Sequence, residues 1–289
     1  WHRPRAVPSS RGDLPGDHHT PYFPTYERQR CGGRNNYCSQ SSDGLSEMRV
    51  VAIIQARIGS TRLPGKVLLD LAGEPALARV VNRTQRATTL DEIVIATTTE
   101  PRDEVIVELC NSRGWAHFRG SEDDVLDRYY QAAKEYRADI VVRITSDCSL
   151  IEPEIIDLVV QELLEDSSLN YVSNTLPPRA FPRGLDVEAM TFKTLERAWQ
   201  EDKNPAWREH VTPYIYRTPG KFRLKAVTNE KDLSYMRWTI DTPEDLEFVR
   251  RIYNHFGHDC FSWHEILELL NEHPEWLEIS RGVKQKEVP

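Results

Sequence analysis

Long hydrophobic segments and regularly spaced cysteines are both missing from this 289-residue chain. No apolar run approaches the roughly 20 residues that a membrane-spanning helix needs, and the N-terminus lacks the apolar centre of a secretory signal. We therefore expect no membrane segment. The five cysteines are odd in number and lack Cys-x-x-Cys spacing, so they predict neither a disulfide framework nor a zinc ribbon. This pattern favours reduced thiols in a cytoplasmic protein.

A surplus of basic residues is also missing. The chain has 37 Lys and Arg against 45 Asp and Glu, which gives a formal net charge of −8. A general nucleic-acid binder normally has a basic face or a high isoelectric point, so we expect no nucleic-acid partner. Any short cationic segment therefore stands out against an acidic background.

The first 47 residues are rich in Pro, Gly, Ser, Arg and His, and they have no apolar periodicity. Such a segment buries too little apolar surface to offset its ordering entropy. We predict a disordered tail over 1–47, with Met48 as an alternative start of the natural chain. The remaining 48–289 are long enough for one large α/β domain.

From Met48 onward, short apolar runs alternate with helical periodicity. Strands are predicted at Val50–Gln55, Ile93–Thr98 and Ile140–Ile144, because these runs are β-branched and apolar on both faces. Successive βαβ units predict a Rossmann-like α/β fold, with a mostly parallel sheet and helices on both faces. Further helix starts are predicted at Pro153, near Lys193, after Thr242 and after the capping-box residue Ser262, whereas 170–187 looks irregular.

A glycine-containing cationic loop, Gln55–Lys66, leaves the first predicted strand. Glycine accepts positive φ at little steric cost, so Gly59 and Gly65 allow the backbone to approach an anion closely. Arg57, Arg62 and Lys66 supply positive charge. The loop therefore suits a polyphosphate, although a solvated basic turn between a strand and a helix remains an alternative.

This loop resembles the nucleotide-binding signature of cytidylyltransferases of the CMP-sugar synthetase kind, and most resembles the branch named for spore coat polysaccharide biosynthesis protein F. Four later segments match that branch in the same order, and one departure is Ser149, where the family usually has proline. The matching segments are Ser121–Arg128, Arg143–Cys148, Arg183–Glu188 and Arg237–Asp245.

The resemblance implies a nucleotidyltransferase of the nucleotide-diphospho-sugar transferase-like fold. It would transfer CMP from CTP to an acidic sugar or a related small acidic acceptor, release pyrophosphate, use Mg²⁺ and form a homodimer. Catalytic roles are implied for Arg57, Arg62, Lys66 and Asp147, and contacts with CTP for Ala56, Arg57, Gly59, Ser60, Lys66, Asp127 and Arg128.

Two aspartates follow β-like runs and are implied as ligands of Mg²⁺. Asp147 follows the strand Ile140–Ile144, and Asp241 follows the run Arg237–Ile240. Mg²⁺ prefers oxygen ligands and often bridges substrate phosphates. An Asx turn or helix cap at Asp147, and a favourable helix-dipole contact at Asp241, remain the structural alternatives.

The resemblance also places Asp127 and Arg128 near the base, although an acidic first turn with surface ion pairs explains them equally well. The acceptor region is expected to begin within 170–187, where a dimer arm could also start. Contacts with the acceptor are implied for a set of polar residues, of which the histidine could equally be structural: Arg179, Arg183, Asp186, Glu188, Glu209 and His210.

Two other functions stay open. A glycosyltransferase could use a related sheet, but such enzymes usually carry Asp-x-Asp after a central strand, and the sequence here is Ser146-Asp147-Cys148-Ser149. A silent nucleotide-binding module would not need two metal ligands. Release of pyrophosphate from CTP distinguishes all three.

Overall fold

The computed structural model describes residues 48–285, so the tail predicted over 1–47 lies outside the described residues. The strands of this part of the chain are β1 (Val50–Gln55), β2 (Asp70–Leu71), β3 (Glu74–Pro75), β4 (Glu92–Thr98), β5 (Ala116–Gly120), β6 (Ile140–Thr145), β7 (Tyr171–Ser173), β8 (Glu188–Thr191) and β9 (Leu224–Ala226). Seven of them form one sheet in the order β5-β4-β1-β6-β8-β7-β9, and a small hairpin pairs β2 with β3.

The large sheet is mostly parallel, as predicted. Strands β5, β4, β1 and β6 pair in parallel, and β7 pairs in parallel with β9. Strand β8 pairs antiparallel with both β6 and β7, so it alone runs opposite to the other described strands of this sheet. The predicted strand at Val50–Gln55 has the observed bounds, and the other two predicted strands differ by one residue at one end.

Helices cover both faces because β1 is apolar on both sides. The helices are α1 (Ala76–Thr84), α2 (Glu104–Arg113), α3 (Val125–Glu135), α4 (Pro153–Glu165), α5 (Phe192–Glu201), α6 (Pro205–His210), α7 (Pro213–Arg217), α8 (Pro243–Phe256) and α9 (Trp263–Glu272). Val51 and Ile53 pack into one core cluster with α3, α5 and α7, whereas Ala52 and Ile54 pack into the other with α1, α4, α8 and α9. Full burial of a valine or isoleucine side chain contributes about 1.5–3 kcal/mol.

Most predicted helix starts are confirmed, and capping boxes begin α8 at Thr242 and α9 at Ser262. Three local predictions need correction. The stretch 170–187, expected to be irregular, contains the short strand β7 at Tyr171–Ser173. The β-like run Arg237–Ile240 is not a strand, since only one bridge to another described residue, between Arg183 and Arg237, pairs it. Cys110 and Cys148 are free, but Cys260 is in a disulfide, so the expectation of uniformly reduced thiols is wrong.

The order of the strands reverses beside β1. After β1 the chain builds β4 and β5 on one side and then returns to β6 on the other side. In such sheets, ligands bind at this switch point, outside the carboxyl ends of the strands. Within residues 48–285, no helix is long and apolar enough to cross a membrane.

Candidate active site

The cationic loop begins at the switch point, and several of its backbone N–H groups have no acceptor among the described residues. Gly65 has φ of 70°, in the left-handed region that glycine favours. At Gly59 a Cβ would lie 3.1 Å from the Oε1 atom of Glu122, so glycine makes room for that side chain. The backbone N–H groups of Gly59, Thr61 and Arg62 donate to no acceptor among residues 48–285. These donors remain available to a ligand.

Other predicted nucleotide contacts have internal partners in the loop. The Ala56 N–H continues the sheet by donating to the Ala96 carbonyl at 3.1 Å. The Ser60 N–H donates to the Ile58 carbonyl at 2.7 Å, and the Ser60 hydroxyl accepts from the Leu63 N–H at 3.4 Å. These two residues therefore hold the loop in shape.

Lys66 lies between the two predicted metal ligands. Its Nζ atom is 3.0 Å from Oδ2 of Asp147 and 2.9 Å from Oδ1 of Asp241, and it also donates to the Ile240 carbonyl at 2.8 Å. An ammonium group has three N–H donors, so all of them are used. The structure thus brings together three of the predicted site residues from distant parts of the chain.

The contacts of this ion cluster shift the pKa values of Asp147 and Lys66. Burial alone would raise the pKa of Asp147, but the Lys66 ammonium and the Thr145 hydroxyl outweigh it and lower the pKa to about 2. Burial would lower the pKa of Lys66, but the two aspartates outweigh it and raise the pKa. Both groups are therefore charged at neutral pH.

Asp241 is held by two further cations, of which the sequence analysis selected Arg62 but not Arg237. Its Oδ2 atom is 2.9 Å from Nη2 of Arg62 and 2.8 Å from Nη2 of Arg237. The guanidinium of Arg237 also binds the carboxylate of Asp245 at 2.8 and 2.9 Å, and Asp245 accepts from the Asp241 N–H at 2.9 Å. Both Arg237 and Asp245 lie in the segment Arg237–Asp245 that matches the family, so that match could have pointed to them. They fix Asp241 although no regular strand supports it.

Arg57 lies on the other side of the loop, between two carboxylates. Its guanidinium is 3.6 Å from Glu122 and 3.8 Å from Glu209. Glu122 also pairs with Arg102. The structure therefore brings Glu209, a predicted acceptor contact, next to the cationic loop.

Asp127 and Arg128 point in different directions, because consecutive residues of a helix are about 100° apart. Asp127 accepts from the Trp199 indole at 2.8 Å and from Gln131 at 3.1 Å, so it faces α5. Arg128 is buried and donates to the Ser121 carbonyl at 2.7 Å. Burial and the nearby Arg57 guanidinium lower the pKa of Arg128. The structure does not bring Asp127 to the cationic loop.

The remaining predicted acceptor contacts lie in the segment before β8, in β8 itself and at the end of α6. Glu188 is buried, with one oxygen bound to Arg143 and the other accepting from the Tyr171 hydroxyl at 2.7 Å, so its position is structural. Asp186 pairs with Arg179. The backbone of Arg183 pairs with residues 236 and 238, and His210 ends α6. Both carboxylate oxygens of Glu188 are already bonded, which leaves it poorly placed for an acceptor.

The donor set fits Mg²⁺ when substrate phosphates complete it. Among residues 48–285, no group of three or more His, Cys, Asp or Glu side chains could hold a metal ion. Asp147 and Asp241 nevertheless converge on one cation, the Lys66 ammonium. Mg²⁺ typically uses one or two carboxylates together with substrate phosphates and water. Two carboxylates are therefore sufficient protein ligands.

A mostly parallel sheet with a cationic loop and paired carboxylates at its switch point is the arrangement expected above for an α/β nucleotidyltransferase. The family model for cytidylyltransferases matches residues 51–271, and the chain belongs to this family. It is an enzyme of the cytidylyltransferase class, and the resemblance noted in the sequence is confirmed.

Two relatives and one solved structure illustrate the similarity. The spore coat polysaccharide biosynthesis protein SpsF of Bacillus subtilis is 33% identical over 236 residues, which cover 78% of this chain and 95% of that protein. The 3-deoxy-manno-octulosonate cytidylyltransferase of Anaeromyxobacter dehalogenans is 30% identical over 237 residues, covering 70% and 97%. The structure of a cytidylyltransferase from Leptospira borgpetersenii has a TM-score of 0.78 at 35% identity, covering 83% of this chain and 100% of that one.

Proposed function

We propose that this enzyme transfers CMP from CTP to an acidic sugar, or a related acidic acceptor, in surface polysaccharide biosynthesis. The observation that carries the proposal is that Lys66, at the end of the cationic loop, contacts both Asp147 and Asp241. The names of the relatives support the pathway and the acceptor class, because one is a spore coat polysaccharide protein and another acts on 3-deoxy-manno-octulosonate.

In the proposed reaction, an acceptor hydroxyl oxygen forms a bond to the α-phosphorus of CTP. The bond from that phosphorus to the bridging oxygen breaks, pyrophosphate leaves with the electron pair, and the hydroxyl proton passes to solvent. Position and charge neutralisation dominate such transfers. Arg57 and Arg62 would neutralise the phosphates from the two sides of the loop, and the free N–H of Gly59 would contact a phosphate oxygen.

Lys66 would have two tasks. Without nucleotide it neutralises Asp147 and Asp241, and with nucleotide it would turn at least one N–H towards a phosphate oxygen. The two carboxylates would then hold Mg²⁺, which when bound supplies positive charge to the phosphate oxygens. On this hypothesis Mg²⁺ binds well only together with the nucleotide.

The acceptor would lie between the cationic loop and β8. Arg183 and Glu209 remain proposed contacts, with Arg suited to a carboxylate and the acid suited to hydroxyl groups. His210 and Asp186 are proposed on the same basis, and Arg128 as a contact of the base. The preference for cytosine and a homodimeric, cytoplasmic enzyme are proposed from the resemblance, and light scattering in solution tests the dimer.

Pyrophosphate release tests the proposal. The full chain is incubated with Mg²⁺, each of CTP, UTP, ATP and GTP, and a panel of acidic sugars that includes 3-deoxy-manno-octulosonate and N-acetylneuraminate. We expect release to require CTP and an acidic acceptor, and Asp147→Asn to abolish it. Consumption of a nucleotide sugar without pyrophosphate release would instead identify a glycosyltransferase.

A further inference from the structure

A cavity of about 440 Å³ adjoins the proposed phosphate site and has no assigned role. Arg62, which pairs with Asp241 at 2.9 Å, forms one wall. The start of α8 and the C-terminal segment, defined here as Ser280–Gln285, form most of the rest. The lining residues are Arg62, Thr242, Glu244, Ile279, Gly282, Val283 and Lys284.

The C-terminal segment is fastened to the site by Arg237. The Nη1 atom of Arg237 donates to the side-chain oxygen of Gln285, while its Nη2 atom binds Asp241. Ser280 is buried, and its carbonyl accepts from the Val283 N–H at 3.0 Å. One guanidinium therefore holds both a proposed metal ligand and the segment that walls the cavity.

Charges in the cavity suit an anion. Lys284 makes no ion pair or hydrogen bond with any residue in 48–285, so its ammonium is available to a ligand. Arg62 forms an ion pair through its Nη2 atom with Asp241, and its other N–H groups can donate to a ligand. Glu244 also lines the cavity, but its own backbone N–H and the Thr242 hydroxyl lower its pKa, so the first turn of α8 already stabilises that negative charge.

We propose that this cavity binds the terminal phosphates of the nucleoside triphosphate, and the pyrophosphate formed from them, through Arg62 and Lys284. The inference rests on the proposed function and deepens it, because it assigns the leaving-group end of the substrate to the C-terminal segment. Arg62 belongs to both the cationic loop and the cavity, which makes the two continuous. An ammonium at the end of a flexible side chain then meets the part of the substrate that carries the most negative charge.

Binding of CTP, CMP and inorganic pyrophosphate, each with Mg²⁺, tests this subsite by isothermal titration calorimetry on the full chain. Lys284→Ala should weaken CTP and pyrophosphate about five- to tenfold, because one charge-assisted contact is lost, and should leave CMP within twofold. Lys284→Arg should restore binding. The matched control is Arg281→Ala, which removes a cation of the same segment that pairs with Glu278 and does not line the cavity.

The outcomes separate this inference from the proposed function. If the wild-type protein binds CTP and Lys284→Ala binds CTP and pyrophosphate equally well, the subsite is wrong and the proposed function stands. An equal loss for CMP, or the same loss for Arg281→Ala, also overturns the subsite, because the effect is then not directed at the terminal phosphates. A wild-type protein that binds neither CTP nor pyrophosphate overturns both.

Discussion

Replacing Lys66 by methionine tests the central cluster most severely. The side chain keeps similar length and loses its charge and three hydrogen bonds. Asp147 and Asp241 then face each other with 23% and 12% of their side chains exposed. Two such carboxylates without their cation repel each other, so we expect losses in both stability and catalysis.

The size of the stability loss follows from the pKa of Asp147. Its fall from 3.8 to about 2 corresponds to about 2 kcal/mol in favour of the charged form. Lys66→Met should therefore lower the free energy of unfolding by about 2 kcal/mol at pH 7. A group whose pKa is lowered on folding stabilises the protein above its unfolded pKa. The difference between wild type and variant should therefore shrink as the pH falls from about 4 towards 2.

Urea denaturation of the wild type, Lys66→Met and Lys193→Met measures this difference. Lys193 is exposed on α5, so its variant is the matched control. Millimolar Mg²⁺ should restore part of the stability of Lys66→Met by binding the vacated carboxylates, whereas turnover should stay about a hundred- to a thousandfold below wild type. An unfolding free energy within about 0.5 kcal/mol of wild type would refute the reasoning.

Three further substitutions probe other parts of the account. Asp241→Asn removes the negative charge that Arg62, Lys66 and Arg237 share. It should reduce pyrophosphate release at least about a hundredfold and leave the circular dichroism spectrum unchanged. Near-normal release would exclude Asp241 as a metal ligand. Gly184→Ala places a Cβ 2.6 Å from the backbone of Trp238 at φ of 103° and should cost about 2–4 kcal/mol in urea denaturation; an unchanged midpoint would mean that the backbone relaxes freely. Glu188→Ala leaves the Arg143 guanidinium buried without its partner and should cost about 3–5 kcal/mol by calorimetry. The double variant with Arg143→Met should recover part of that loss, and no recovery would argue against charge as the cause.

Local signals predicted the frame of the fold. The strand Val50–Gln55 could be bounded because its β-branched residues are buried on both faces. The start of α8 could be predicted because Thr242 precedes a proline, and the start of α9 because Ser262 and Glu265 form a capping box. The three-residue strand β7 gives too short a pattern to detect. The run Arg237–Ile240 was wrongly predicted to be strand-like because Trp, Thr and Ile are common in strands. Its Trp238 and Ile240 are buried in the core, but the run pairs with no strand among the described residues.

The centre of the site was only partly predictable. Family motifs selected Lys66, Asp147 and Asp241, but the contacts that join them span 81 and 175 positions of sequence. No local pattern shows that the ammonium lies between the two carboxylates. The cavity beside the C-terminal segment could not be predicted for the same reason, because only the tertiary fold brings Arg62 and Lys284 together.

Titration of the full chain with CTP, UTP, ATP and GTP, each with and without Mg²⁺, tests the central claim most directly. The account predicts that CTP binds most tightly, that Mg²⁺ strengthens its binding, and that Asp147→Asn removes the effect of Mg²⁺ while CTP still binds weakly. Equal binding of all four triphosphates, or an undiminished Mg²⁺ effect in Asp147→Asn, would contradict it.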